Sequence, residues 1–215
     1  MQVVGFGAGG HAKVVIEILR CFPQYEIVGL LDPQKTLWGT QVLNVQVLGD
    51  DSLMSELNGR GIHQAFIGIG TTGDTTPRRR LYEKVSGFGF QLVSAIHPAA
   101  VVSDSTLIGA GPTVMAGAVI NADTQLGNNV IVNSGAIVEH DCVVGDHSHI
   151  ATGARLAGGV HVGRGTHVGL GALVRQGIRI GENAIVGAGA VVVRDVPDGE
   201  TVIGVPAKSY CKGNE

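Results

Sequence analysis

An imidazole between two carboxylates, in Val138-Glu139-His140-Asp141-Cys142, is the stretch of this sequence best equipped to move a proton. A histidine titrates near pH 6.5, so its neutral ring is a usable base at neutral pH, and a bonded carboxylate fixes its tautomer and raises its basicity. Chain neighbours need not hydrogen-bond. The partner of His140 is therefore Asp141, Glu139 or a group from elsewhere, and the alternative is a histidine on a surface turn. Five of the eight histidines (His140, His147, His149, His161 and His167) crowd into one part of the chain. His149 and His167 stand eighteen residues apart. In the repeat described below that spacing stacks them on one face, where imidazoles can ligate a metal, although their flanks offer no other clear ligand.

A second chemical feature opens the chain. Gly5, Gly7 and Gly10 satisfy GxGxxG between a strand-like Gln2–Phe6 and a helical stripe of Val14, Val15, Ile18 and Leu19, with Asp32 further on. Glycines there admit close backbone approach, and the free N–H groups of a helix start accept phosphate. Gly7, Gly9, Gly10 and His11 are expected to bind a nucleotide diphosphate. Asp32 and Gly70, at the carboxyl ends of two strands, are expected to contact the nucleotide or sugar. The segment is only about half of a full dinucleotide fold, which favours a mononucleotide diphosphate over NAD. The alternatives are a structural turn at the glycines and a solvated turn at Asp32 before Pro33. Arg78, Arg79 and Arg80 can attract phosphate, but a solvated helix face is the preferred reading.

What must position these groups is a repeat. From Val102 to Val192 every sixth residue is Val, Ile or Leu. Neither a helical nor a strand period alone gives a strict six; a parallel β-helix does. The position two before each aliphatic is usually small or β-branched, as at Ala118, Ala136, Cys142, Ser148 and Thr166, and must fit beside it in a narrow lumen. Cys142 thus points inward and is not a nucleophile. Gly follows the aliphatic every eighteenth residue, at Gly109, Gly127, Gly145, Gly163 and Gly181. Three strands of six therefore make one triangular coil, and one corner needs either positive φ or close backbone approach. Five coils are expected to stack.

Before the prism, the pattern predicts strands at Gln2–Phe6, Glu26–Leu31, Ala65–Ile69 and Phe90–Ile96. Helices are predicted at Ala12–Arg20, from Asp50 or Asp51 to Leu57, and at Arg78–Val85. Alternation of strand and helix implies a small parallel sheet. Residues 1–95 form this α/β domain and 96–215 the β-helix with a C-terminal tail, joined without a linker and packed together. A net charge of −3 and 4% aromatic residues give no reason to expect nucleic acid. Cys21, Cys142 and Cys211 lie far apart without a CxxC, which fits a reducing cytoplasm, and Met1 leads straight into a strand with no signal peptide. No apolar run reaches the roughly 18 residues of a membrane span.

Together these residues resemble the bacterial nucleotide-sugar acetyltransferases of the left-handed β-helix class, among them the N-acetyltransferases for UDP-linked bacillosamine precursor and GDP-perosamine and the sialic acid O-acetyltransferases. The carriers are Gly7-Ala8-Gly9-Gly10-His11-Ala12-Lys13, the Glu139–Cys142 corner, Ser148-His149, and the tail Gly204-Val205-Pro206-Ala207-Lys208. The resemblance spans essentially the whole chain. It implies a left-handed prism and a homotrimer, with acetyl-CoA as co-substrate along the seam between two prisms and no metal. It also implies a nucleotide-linked amino sugar held by the N-terminal domain with its 4-amino group aimed at that seam, in the service of polysaccharide biosynthesis.

By position, His140 resembles the family's general base and Asp141 its acidic partner, Asp here standing where some relatives have Glu. His149 resembles the residue that meets the acetyl carbonyl or CoA. Gly158, Leu170 and Ala188 match positions along the pantetheine arm, and Pro206 and Lys208 belong to the same acetyl-CoA set. Asn133 contacts the sugar or acetyl group, or else belongs to an Asn ladder. The implied chemistry is direct transfer, with His140 taking a proton from the amine and a backbone N–H near Gly158 as one candidate for stabilising the oxyanion. Sugar O-acetylation, a carbonic-anhydrase-like metal-dependent hydrolyase and a non-catalytic nucleotide-sugar binder are the competing readings.

Overall fold

The computed structural model describes residues 1–210; Cys211 lies outside the described residues. The chain begins with β1 (Gln2–Phe6), α1 (Gly10–Arg20) and β2 (Glu26–Leu31). A hairpin of β3 (Gln41–Val42) and β4 (Val45–Gly49) follows, then α2 (Met54–Gly59), β5 (Gln64–Ile67), α3 (Thr76–Gly87) and β6 (Gln91–Leu92). The strands form one sheet in the order β3-β4-β2-β1-β5-β6, parallel except at the hairpin. The hairpin was not expected. It turns at Leu43-Asn44, both at positive φ, and the residue that starts the turn has no glycine to announce it. Asp50 caps a short 3-10 turn before α2 by accepting from the Ser52 N–H at 3.0 Å.

A single strand was expected at Phe90–Ile96. Instead Gln91–Leu92 ends the first sheet and Ala95–Ile96 begins the next, pairing with Thr113–Val114. The chain changes sheets in three residues, so two sheets share one continuous packing surface. From there two-residue strands recur every six residues and stack into three parallel sheets. This is a left-handed parallel β-helix. The first face carries Ala95, Thr113, Ile131, His149, His167, Ile185 and Thr201 in register and meets the N-terminal domain. The second stacks Val101, Val119, Ile137, Arg155, Leu173 and Val191, and the third Leu107, Gln125, Val143, His161 and Arg179.

The lumen holds the sixth-position aliphatics, from Val114 to Val192, essentially without solvent exposure. Full burial of each is worth about 1.5–3 kcal/mol. Small inward positions that are polar find carbonyls: Thr124 donates to Glu139 O at 3.0 Å, Ser148 to Gly163 O at 2.8 Å, and the buried Cys142 thiol to Ala157 O at 3.3 Å. Two backbone demands shape the corners. Every sixth residue from Gly111 to Gly189 has positive φ, and the non-glycine occupants are Asp123, Asn129, Asp141, His147 and Asn183. These are the residue types that tolerate left-handed backbone. The eighteen-residue glycines are a different register. They do not need positive φ; they need close approach. A Cβ on Gly163 would lie 2.5 Å from the Glu182 backbone nitrogen in the next coil.

The tail reaches β-pairing of Thr201–Ile203 with Lys208–Ser209, with a cis peptide at Val205-Pro206. Among the described residues no helix is long and apolar enough to cross a membrane. The two glycine registers carry different costs. Gly163→Ala is expected to lower stability by about 2–3 kcal/mol through overlap with backbone. Gly153→Ala, at φ 67° in open space, should lose only about 1 kcal/mol. Thermal or denaturant unfolding of the two variants checks the order.

Candidate active site

His140 follows the second face, at a corner between it and the third. Its Nδ1 lies 2.7 Å from Asp141 Oδ2, and both side chains are more than half exposed. Of the partners open to it, the structure selects Asp141. The reason is local: Asp141 is the left-handed residue of its corner, at φ 59°, which swings its carboxylate back toward the preceding ring. A short side chain suffices there. Glu139 is engaged elsewhere, accepting from Asn121 Nδ2 at 2.9 Å. The hydrogen bond to Asp141 raises the His140 pKa above its ordinary value; desolvation opposes it, and the charges of Asp141 and Glu139 add to the rise. With Nδ1–H held by Asp141, Nε2 carries the free lone pair. That edge lies over Gly158, one coil on, where a Cβ would come within 2.6 Å of Nε2. Gly158 is thus the floor of the imidazole as well as a candidate pantetheine position.

A cavity of about 630 Å³ opens on the junction of the two domains. Gly10, His11 and Val14 of α1, the Gly70–Thr72 turn after β5, and Met115, Asn133, Ser134 and His149 of the prism line it. The glycine loop behaves as its spacing implies. Gly7, at φ 104°, packs so tightly that a Cβ would strike Ile69, whereas Gly9 and Gly10 face open space. Asp32 accepts from the Ala8 N–H and the Gln34 N–H, both at 2.9 Å. Its carboxylate thus holds the loop in place, and it remains partly exposed.

His149 is buried at the junction, with Nδ1 2.8 Å from Thr71 Oγ1 and Nε2 3.2 Å from Asn133 Nδ2. Burial, then the charges of His167 and Arg78, push its pKa down to about 3, so the ring is neutral. It stacks edge-on against His167, with centroids 4.9 Å apart. Both of its nitrogens already have protein partners. Among the described residues no cluster of three His, Cys, Asp or Glu side chains could hold a metal. Asn133 belongs to this network rather than to an Asn ladder.

The expected site residues therefore fall into three groups. His11, Gly70, Asn133 and His149 meet at the cavity beside Gly7, Gly9 and Gly10. His140, Asp141 and Gly158 share the corner after the second face. Leu170 and Ala188 are exposed on the corner before that face, on the coils beyond Asn133, and Pro206 and Lys208 are exposed in the tail. His149 was grouped with the acetyl-CoA set from sequence; the structure seats it with the cavity residues. Arg78 is a correction. It is not on a solvated helix face but 1% exposed, under His11. Arg80 is exposed, and Arg79 is half-buried beside Glu83. Thr71, absent from the expected set, was hidden because its role depends on a histidine 78 residues away.

The PglD N-terminal domain family model matches residues 2–85, and the bacterial transferase hexapeptide (six repeats) matches 105–140 and 123–158. A GDP-perosamine N-acetyltransferase from Caulobacter crescentus, solved as a histidine-to-alanine variant with CoA and GDP-perosamine, is 46% identical. It covers 99% of this chain and 98% of its own, with a TM-score of 0.91. The acetyltransferase domain of PglB from Neisseria gonorrhoeae, solved with acetyl coenzyme A, is 37% identical over 97% of this chain and 98% of its own, TM-score 0.88. A UDP-N-acetylbacillosamine N-acetyltransferase from Bacillus subtilis is 37% identical over 111 residues; the match spans 49% of that relative.

Because the Asp141 carboxylate raises the His140 pKa, the base form of His140 is lost at a higher pH than for an isolated imidazole. Asp141→Asn is expected to move the ring's titration toward or below 6.5. An NMR titration of the His140 ring protons, which should shift to lower pH in the variant, checks this.

Proposed function

The chain belongs to the bacterial hexapeptide-repeat sugar N-acetyltransferases, and on that premise we propose that it transfers the acetyl group of acetyl-CoA to the 4-amino group of a nucleotide-linked amino-deoxy sugar. The observation that carries this reading is the pairing of a glycine-loop cavity with an Asp-bonded imidazole whose Nε2 is free. A UDP-linked bacillosamine precursor or GDP-perosamine is the substrate class. Its diphosphate lies at the start of α1 and its sugar extends toward Asn133 and His149.

His140 Nε2 takes a proton from the amine as the nitrogen attacks the thioester carbonyl, and Asp141 steadies the imidazolium that forms. The proton then leaves with the CoA thiolate. Such base catalysis is worth about 10²–10⁴-fold. Transfer is direct: the Cys142 thiol is buried in the lumen, and burial pushes its pKa up. A backbone N–H near Gly158, the residue against which the His140 ring lies, donates to the oxyanion.

In one chain His140 and the cavity occupy opposite edges of the second face. A homotrimer resolves the separation. Apart from the exposed Arg155 that face is apolar, with Val101, Leu173 and the half-buried Val119, Ile137 and Val191 directed outward. Closing three such faces on a common axis sets the His140 corner of one copy beside the Asn133, Leu170 and Ala188 corner of the next. Acetyl-CoA runs along that seam. The reaction fits the cytoplasm, where nucleotide sugars are made, and feeds polysaccharide synthesis.

The test is thiol release from acetyl-CoA with UDP- and GDP-linked 4-amino sugars. Turnover on an amino sugar but not its hydroxy analogue is expected; acetylation of the hydroxyl alone would overturn N-transfer. His140→Ala should lower kcat about 10²-fold or more while still binding CoA. Ile137→Arg on the apolar face should give soluble monomers in sedimentation and abolish turnover, because neither half of the site is complete alone.

A further inference from the structure

Beneath the cavity lies a cation without a counter-ion. Arg78, in the first turn of α3, has no carboxylate among its partners in the described residues. Its Nη1 donates to Ile69 O at 2.6 Å and Ile67 O at 3.1 Å, and approaches His11 Nε2 at 3.2 Å. Its Nε and Nη2 are buried with no partner among the described residues. An unpaired buried charge is costly, and an apolar side chain of similar volume would avoid the cost. The helix position therefore has a use other than packing.

That use follows from the chemistry of the donor. A guanidinium donates and never accepts. Two N–H donors would repel at that distance, so His11 Nε2 accepts, sharing one of the two Nη1 hydrogens with a carbonyl, and the proton of the neutral ring sits on Nδ1. The Nδ1 edge has no hydrogen-bond partner among the described residues and faces the cavity wall at Gly70, whose added Cβ would lie 3.7 Å away. The same logic runs through the facing wall. The Ser134 N–H donates to Asn133 Oδ1 at 2.7 Å, which turns the amide NH₂ toward His149 Nε2. His149 Nδ1–H then donates to Thr71 Oγ1, and the Thr71 hydroxyl keeps its own proton for a ligand. His11 and Thr71 both present donors. The one carboxylate at the rim, Asp74, already accepts from the Thr76 N–H at 2.8 Å.

We propose that Arg78 is a positioning residue that locks His11 in its Nδ1–H form, so that His11 donates to a diphosphate oxygen of the nucleotide sugar at the start of α1. This rests on the nucleotide-sugar reading of the cavity. The guanidinium behind the ring polarises the imidazole, so the bond to an anionic oxygen is charge-assisted without a charged histidine in the pocket.

The first test needs no variant. A ¹⁵N spectrum of the wild-type protein should show His11 protonated on Nδ1 and bare on Nε2 at neutral pH; an Nε2–H ring or an imidazolium would overturn the assignment. Arg78→Gln should release the ring to a mixture of tautomers and raise KM for the nucleotide sugar about tenfold or more, with kcat and the KM for acetyl-CoA little changed. Arg78→Lys, which keeps a cationic donor, should recover part of the loss. His11→Phe should weaken GDP or UDP binding similarly, and the double variant should be no worse than His11→Phe alone. Additive losses would mean that Arg78 does not act through His11. If the wild type bound neither nucleotide diphosphate, the reading of the cavity would fall, and the ligand with it. If it bound and acetylated normally while Arg78→Gln matched it in KM, only the role of Arg78 would fall.

Discussion

A chain that turns a corner every six residues must place one residue in left-handed backbone at each corner, and the rest of this molecule depends on that demand. L-residues resist the conformation, so Gly, Asn, Asp and one His occupy the register from Gly111 to Gly189. Once the corners are set, each coil lies over the last in exact register, the aliphatics fall into the lumen, and every outward position has a fixed face. Chemistry on such a scaffold is confined to outward positions and corners. The inward ones cannot be altered without opening the core.

The same demand places the His140–Asp141 pair. Asp141 sits at a left-handed corner, and its short carboxylate turns back on His140. A residue type chosen by backbone sterics is also the one that orients the imidazole. Glu would reach further but suits the left-handed region less well, so Asp satisfies both constraints here. Gly158 completes the arrangement from the next coil, since any side chain there would displace the ring.

Much of this was legible in the sequence because periodicity survives translation into contacts. The sixth-position aliphatics became the lumen, and the glycine loop became a turn before α1. The eighteen-residue glycines were visible as a pattern, but their cause was open between positive φ and close approach; only the neighbouring coil at Glu182 decides it. What stayed hidden has a common origin. Arg78 sits in a run of three arginines, and helical spacing alone does not say which one turns inward. Thr71 and His149 meet across the domain junction, and no local signal joins residues that distant. The strand expected at Phe90–Ile96 splits because two sheets compete for it, which is a tertiary choice.

The junction and the corner solve opposite electrostatic problems. At the corner, a carboxylate favours a proton on His140, and exposure leaves the ring reachable. At the junction, burial and the Arg78 charge strip protons from His11 and His149, so both rings stay neutral and directional. A neutral ring has one donor and one acceptor, and its partners decide which is which; a protonated ring would offer two donors and lose that distinction. Burial is thus what allows hydrogen bonds, rather than charge, to define the cavity. The two environments cannot coexist in one pocket, because burial of His140 would lower the pKa that Asp141 raises. Separating them on different corners of the prism gives each histidine its own electrostatic surroundings.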